Sequence, residues 1–310
     1  KLRDCSDVTV FEKSRGFGGR MATRYAADFE FDHGAQFFTA RSNTFKQFLE
    51  PLIAHGVVAC WNGRFAELQR ATLNSSKQWD ESHPHYVGTP RMNAIGQYLA
   101  DGLTVSRNTT VARLDRDAAG WQLVDNEGGT LGHFDWVVCA MPAVQTAALV
   151  PADSQLYCRA EAVQMRACCA LMLGFDKPLD LPWQAALVRG ADISWISVNS
   201  SKPQRADGFT LVVHSTNAYA DANLEVDQPA VQQHLLGEVS DVIKIDCNAG
   251  SFRQLQRWRY ANVDKQTGPP CIVDTERQLA GCGDWFRRGR VEAAFASGWA
   301  AAEELREFIA

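Results

Sequence analysis

The sequence has no uninterrupted apolar run approaching the roughly 18 residues that a membrane-spanning helix needs. It has no long basic run either, and with 31 Lys and Arg against 36 Asp and Glu its formal net charge is −5. That balance does not favour a phosphate backbone, so nucleic acid is not an expected partner. The nine cysteines are odd in number, and no two stand in a C-x-x-C pair. Cys168 and Cys169 are adjacent inside an apolar run and read as buried strand. The pattern fits reduced thiols in a cytoplasm better than a disulfide framework, and no signal peptide is expected before the first motif. His83 and His85 form an H-x-H pair, which reads as part of a solvated loop, and no metal is expected. What remains is an ordinary globular composition, 46% hydrophobic and 22% charged over 310 residues with nine Trp. That length suffices for two domains, each with its own core.

Residues 8–39 carry the strongest pattern. Val8-Thr9-Val10-Phe11 alternates as a strand does and ends on an acid, Glu12. A basic, glycine-rich turn follows, with Lys13, Arg15, Gly18, Gly19 and Arg20. Gly34 then stands in Asp32-His33-Gly34-Ala35-Gln36, ahead of Phe37 and Phe38. A carboxylate at a strand end can accept two hydrogen bonds from a ribose diol. Glycines let the backbone approach where a side chain would block it, and arginines pair with phosphate oxygens. Together these are parts of a dinucleotide site.

The rest of the chain reads in order. Residues 1–7 look like the end of a helix. Phe45, Phe48, Leu49, Leu52 and Ile53 recur at helical spacing after a Ser42 or Asn43 cap, with Pro51 expected to kink or divide the helix. Residues 56–90 alternate short apolar runs with polar loops. Thr89-Pro90 opens a helix through Met92, Ile95 and Leu99 that Gly102 closes. Short strands from 103 to 134 form an antiparallel meander, and Asp135–Ala140 is a buried strand stopping at Met141-Pro142. From about 151 to 264, strands in series and a helix from Pro229 suggest a separate mixed or antiparallel sheet. Trp183, Trp195, Trp258 and Tyr260 lie there, with Arg257 and Arg259 facing opposite to Trp258 by strand alternation. The chain ends in a short strand to Gly283, then Asp284, a loop, and a helix from Val291-Glu292 with Ala293 and Ala294 in its first turn. Phe295, Trp299, Ala302, Leu305 and Ile309 supply its packing stripe.

E-K-x-x-x-x-G-G-R after a strand resembles the second nucleotide-binding fingerprint of amine-oxidase-type flavoproteins. FEKSRGFGGRMATR with FDHGAQFFTAR is similar to the renalase-like branch of that superfamily. The C-terminal strand-G-D, loop and helix with S-G-x-x-A-A resemble its flavin fingerprint. The resemblance implies FAD, with the adenosine ribose on Glu12 and the pyrophosphate along Lys13, Arg15, Gly18, Gly19 and Arg20. It implies a flavin beside Gly34, Ala35, Gln36 and Phe37, and adenine held at Val111. Met141 and Pro142 would pass near the cofactor, and Gly283, Asp284, Val291, Glu292, Ala293 and Ala294 would meet its pyrophosphate, ribityl chain and pyrimidine edge.

The implied fold is α/β. It comprises a doubly wound, Rossmann-like FAD-binding domain with a β-meander (1–40, 84–150 and 265–310) and an α+β substrate domain (41–83 and 151–264). The family's first G-x-G-x-x-G strand–helix unit is absent before Lys1, so an N-terminal βα unit is expected to be missing. The implied activity is FAD-dependent oxidation of a dihydronicotinamide-type dinucleotide with oxygen as acceptor. Hydride transfer needs little acid–base help, so no catalytic acid or base is expected, and Gln36, Phe38, Trp183, Trp258 and Tyr260 are the pocket candidates. The alternatives are a flavin amine or protoporphyrinogen-type oxidase and, in another class, an N-terminally truncated, cofactor-free binding module.

Overall fold

The alternation at the start of the chain forms the expected strand, Thr9–Glu12, paired in parallel with Thr104–Arg107. The computed structural model describes residues 1–26 and 28–309, and the chain divides into two units. The first is Lys1–Phe17, Ala100–Met165 and Asn262–Ala310; the second is Gly18–Leu99 and Arg166–Ala261.

In the first unit the meander is present as Val111–Asp117, Gly120–Asp125 and Thr130–Phe134, all antiparallel. Its second turn is closed by Asp125, whose Oδ1 accepts the amides of Glu127 and Gly129 at 2.8 Å each. A separate sheet joins Val137–Cys139, Leu279–Gly281 and Ile272–Asp274, the first two in parallel. The core gathers Trp121, Leu156, Leu279, Trp285 and Phe286. The terminal helix spans Val291–Ile309, and no helix among the described residues is long and apolar enough to cross a membrane.

The second unit is built on a seven-stranded mixed sheet. Its order is Phe252–Val263, Met165–Phe175, Phe209–Ser215, Ile193–Val198, Ala185–Arg189, Arg64–Gln69 and Thr72–Gln78. Alternation sorts these strands onto two faces. Leu171, Leu173, Ile196, Leu211 and Val213 pack with Val231, Leu235 and Val239 of the helix Gln228–Ile243. The opposite face carries Met172, Val212, Ser197 and His214, and the segment 29–37 lies on it, with Phe31 packed against Met172 and Val212.

Three local expectations are corrected. Pro51 does not divide the helix, which runs unbroken over Asn43–Ala54. It stands in the last turn, so the i→i−4 bond that its missing N–H removes lies near the helix end, with little helix beyond it to break. Ser42 caps the other end by accepting the Phe45 amide. The helix after Thr89-Pro90 starts later, at Ala94, and before it the Met92 amide donates to Asp32 Oδ1 at 3.0 Å. Residues 56–90, read as loops with short apolar runs, contain the strands Val58–Cys60, Arg64–Gln69, Thr72–Gln78 and Tyr86–Gly88.

Candidate functional site

In the first unit, parallel pairing brings Glu12 opposite Arg107 at the strand ends. Glu12 Oε1 accepts the Ser14 amide at 2.8 Å, which bends the chain directly after the strand. Its Oε2 takes no partner among the described residues. The loop is tied back where Asn108 and Thr109 donate their amides to Ser14 and Glu12 carbonyls, and Arg107 donates to the Arg15 carbonyl at 3.0 Å. Lys13 and Arg15 are exposed.

At the other end of this unit, the Gly283 amide donates to Ser297 Oγ at 2.8 Å, and that hydroxyl donates to the Pro270 carbonyl. Ser297 therefore fixes Gly283 to the helix that starts at Val291. A Cβ on Gly283 would lie 2.7 Å from the Trp285 ring. Asp284 is buried, and its carbonyl caps the following turn by accepting the Arg287 and Arg288 amides. Ala293 is buried, while Val291 and Glu292 are half-buried and Ala294 is exposed. The Met141 carbonyl accepts from Trp285 Nε1 at 3.0 Å, and Pro142 caps the helix Ala143–Leu149. Val111 packs on the Trp121 core.

In the second unit, Gly18 (φ 109°) and Gly19 (φ 51°) lead into a single 3-10 turn, Gly19–Met21. The Arg20 carbonyl accepts the Ala35 amide at 2.9 Å, and a Cβ on Gly34 would lie only 2.0 Å from that carbonyl oxygen. The two glycine segments are thus stitched together at a contact that only glycine allows. The Arg20 guanidinium donates to the Ala261 carbonyl at 3.1 Å.

Behind Gly34 lies a buried polar network of which only Gln36 is among the expected site residues. Arg205 donates to Asp32 Oδ2 at 2.6 and 3.1 Å, and Lys202 reaches the same oxygen at 3.4 Å. Lys202 also donates to Asn199 Oδ1 at 2.9 Å and Gln36 Oε1 at 3.2 Å. Gln36 Oε1 accepts Ser197 Oγ at 2.7 Å, while its Nε2 donates to the carbonyls of Asp32 and Gly34 at 2.5 and 2.9 Å. All the strong valences of the Gln36 amide are thus used inside the protein. What the turn can offer a ligand is backbone and the Phe37 ring.

Electrostatics follow from one carboxylate between two cations. Burial pushes the Asp32 carboxyl up, but the Lys202 and Arg205 charges outweigh it and hold it at about 2. Arg205 takes the closer, two-nitrogen contact, so Lys202 is left as surplus charge, and burial pushes it down to about 8. Burial, reinforced by nearby cations, lowers both neighbouring histidines to about 4: Arg24 acts on His33 and Lys202 on His214. Both are neutral at physiological pH.

Phe37 enters an aromatic cluster with Trp79, His85 and Trp195, at ring separations of 4.9, 5.0 and 5.5 Å. His85 stacks on Trp79 at 3.7 Å and 5°, so it is half-buried in this cluster and not in a solvated loop. Among the described residues, His85 Nδ1 and Trp195 Nε1 are buried without hydrogen-bond partners. Phe38 turns the other way, onto Phe45 and Tyr86. Trp258 stacks on His33 at 5.1 Å and donates to its carbonyl at 2.9 Å. Trp183 sits in the core on the opposite, helix-packed side of the sheet, and Tyr260 is half-buried on the Trp258 strand. Arg257 donates to the Leu224 carbonyl and Arg259 pairs with Glu225, on the face away from Trp258.

Within the first unit, an acid at a strand end, with Oε2 unpartnered among the described residues, and exposed cations on the loop after it fit the ribose and phosphates of FAD. Comparison with known proteins agrees. A family model described as flavin containing amine oxidoreductase matches residues 53–306, and one described as an NAD(P)-binding Rossmann-like domain matches residues 1–52. Among solved structures, a protein from Exiguobacterium sp. 255-15, provisionally assigned as a protoporphyrinogen oxidase, is similar with a TM-score of 0.74. It shares 12% identity over 98% of this chain and 92% of its own. Cyclohexylamine oxidase from Brevibacterium oxydans IH-35A is similar with a TM-score of 0.70 and 12% identity over 99% and 95%. A putrescine oxidase bound to putrescine follows with a TM-score of 0.66 and 10% identity over 96% and 93%. At these identities the structural likeness speaks for the fold.

Proposed function

The chain belongs to the flavin containing amine oxidoreductase family, and from that premise we propose that its electron donor is a dihydronicotinamide-type dinucleotide, as in the renalase-like branch. It is an FAD-dependent oxidoreductase with a mixed α/β fold. The observation that carries the finer reading is the charge balance behind the Gly34–Phe37 turn. Lys202 and Arg205 outnumber Asp32 there, and both histidines are neutral. A protonated amine is repelled by that balance, whereas a neutral dihydropyridine ring is not. The grouped rings of Phe37, Trp79, His85 and Trp195 suit a flat donor.

FAD, when bound, would supply the two-electron acceptor, so that the donor, oxygen and one proton from solvent would give aromatic nicotinamide and hydrogen peroxide. The residues of the chain bind, orient and exclude water. In this reading Glu12 holds the adenosine ribose, and Lys13, Arg15 and the Gly18–Arg20 turn hold the pyrophosphate. Gly283 and the helix from Val291 to Ala294 serve the flavin end, with Val111, Met141 and Pro142 lining the cofactor. Residues 1–40, 84–150 and 265–310 serve the cofactor, and 41–83 with 151–264 the donor. Phe37, Trp258 and Tyr260 offer ring surface to the donor. No side chain is assigned as a proton acceptor, since hydride transfer needs little acid–base help and Asp32, Lys202 and Gln36 are committed to one another.

The test is to load the full chain with FAD and mix it anaerobically with a dihydronicotinamide isomer. The flavin band should bleach, and admitted oxygen should yield one peroxide per donor. Bleaching by putrescine or cyclohexylamine, with none by the dinucleotide, would move the reading to an amine oxidase. Failure to take up FAD at all would leave a binding module.

A further inference from the structure

Lys202 is the one member of the buried network whose charge no carboxylate fully matches. It follows the short turn Asn199–Ser201 that ends the strand Ile193–Val198, and its side chain has no solvent exposure. The charged and titratable groups packed around it come from three elements: Asp32 from the strand Phe29–Asp32, Arg205 from its own loop, and His214 from the strand Phe209–Ser215. The Trp61 ring lies 5.5 Å from the ammonium. Glu30, the next carboxylate along, is paired with Arg91. Arg205 answers Asp32 with two nitrogens and also donates to the Pro90 carbonyl at 2.8 Å. Lys202 spends its remaining hydrogens on two amide oxygens, those of Asn199 and Gln36.

That last contact decides which way the Gln36 amide points. Two donors, Lys202 and the Ser197 hydroxyl, face one end of the amide, and two carbonyls, Asp32 and Gly34, face the other. Flipping the amide would set donors against donors and acceptors against acceptors. The orientation in turn holds the Gly34 carbonyl, and so the turn that ends at Phe37. A buried ammonium is expensive to desolvate, and here three hydrogen bonds offset that cost. The charge that Asp32 leaves unmatched is available for an electrostatic use.

We propose that Lys202 is a positioning residue of the redox centre: it locks the Gln36 amide and keeps an unbalanced positive charge behind the Gly34–Phe37 turn that favours the reduced cofactor. This rests on the reading that the turn faces the flavin. Negative charge gained on reduction is stabilised by a fixed cation in a poorly solvated site, more strongly than by the same cation in water. Loss of the Lys202 proton, which burial brings within reach at about pH 8, removes that stabilisation while Asp32 keeps its closer partner, Arg205. Reduction should therefore raise the affinity of Lys202 for its proton.

The experiment measures the reduction potential of FAD bound to the full chain, in the wild type and in K202M and K202R, from pH 6 to pH 10. K202M should retain FAD and lower the ratio of reduced to oxidised cofactor at a fixed potential at least tenfold, about 30 mV for a two-electron couple. K202R, which keeps the charge, should stay near the wild type. The wild-type potential should fall more steeply with pH above pH 8 than that of K202M, because one more proton is taken up on reduction. An FAD-loaded K202M at the wild-type potential overturns the proposal, and so do parallel pH slopes in the two proteins. If K202M does not accumulate folded, the wild-type series decides, and a slope with no steepening overturns the proposal. A wild type that takes up no FAD fails the cofactor reading itself and this proposal with it, an outcome distinct from a loaded variant with unchanged potential.

Discussion

Asp32 shows how a single residue sets the character of the second unit. Its Oδ1 accepts the Met92 amide at 3.0 Å and Thr23 Oγ1 at 2.8 Å, while Oδ2 faces the two cations. Burial alone would raise its pKa, but Lys202, Arg205 and the Met92 amide hold it at about 2, against an ordinary 3.8. The folded state thus binds this proton less tightly than the unfolded chain. Its contribution is complete above pH 4 and is lost as the pH falls from about 4 to about 2. The shift corresponds to about 2 kcal/mol at 1.36 kcal/mol per unit. Urea unfolding at pH 6 and pH 2.5 should show a loss of that order, and Asp32→Asn should remove this part of the pH dependence. The same variant should cost about 3–5 kcal/mol at neutral pH, because Lys202 and Arg205 are left buried without a counter-charge.

At the scale of elements, two glycines with similar local sequence signals have opposite roles. Gly34 sits where a Cβ would meet the Arg20 carbonyl at 2.0 Å, and backbone cannot yield there without parting the two segments. Gly34→Ala should leave the far-UV circular dichroism intact yet abolish retention of FAD through desalting; undiminished retention would show that the stitch is not needed. A Cβ on Gly298 in the terminal helix would meet nothing within 4 Å among the described residues beyond its own helix backbone, so Gly298→Ala should stabilise by about 1 kcal/mol through helix propensity, read as a higher unfolding midpoint. The buried residue beside it is Ser297, which holds Gly283. Elements written in local code were legible: the strand ending at Glu12, the meander with its Asp125 turn, and the helix capped by Ser42. The edge strand Thr72–Gln78 was not, since every residue in it is exposed and polar alternation leaves no hydrophobic period to read. Nor was the Asp32–Lys202 network, whose members stand 170 residues apart and resemble ordinary surface charges until the sheet buries them. His85 was missed for a related reason: only its stacking on Trp79 separates it from an exposed loop histidine.

For the whole molecule, family models account for residues 1–52 and 53–306, so nearly the entire chain belongs to cofactor-using machinery. Such a chain should gain stability from its cofactor by mass action, since FAD binds the folded state and has no site on the unfolded one. With free FAD at a hundredfold excess over its dissociation constant, the gain is about 2.7 kcal/mol. It should appear as a rise in urea midpoint that grows with FAD concentration at constant slope. Riboflavin at the same concentrations tests which part of the ligand is held. It lacks the adenosine ribose that Glu12 is proposed to bind and the phosphates assigned to Lys13 and Arg15, so its effect should be small. Glu12→Ala should then lower the FAD-induced rise while leaving the midpoint without ligand nearly unchanged, because its described side-chain bond is a single exposed one to the Ser14 amide. Equal stabilisation by riboflavin and FAD would mean that the isoalloxazine end alone drives binding and that the Glu12 loop is only a turn.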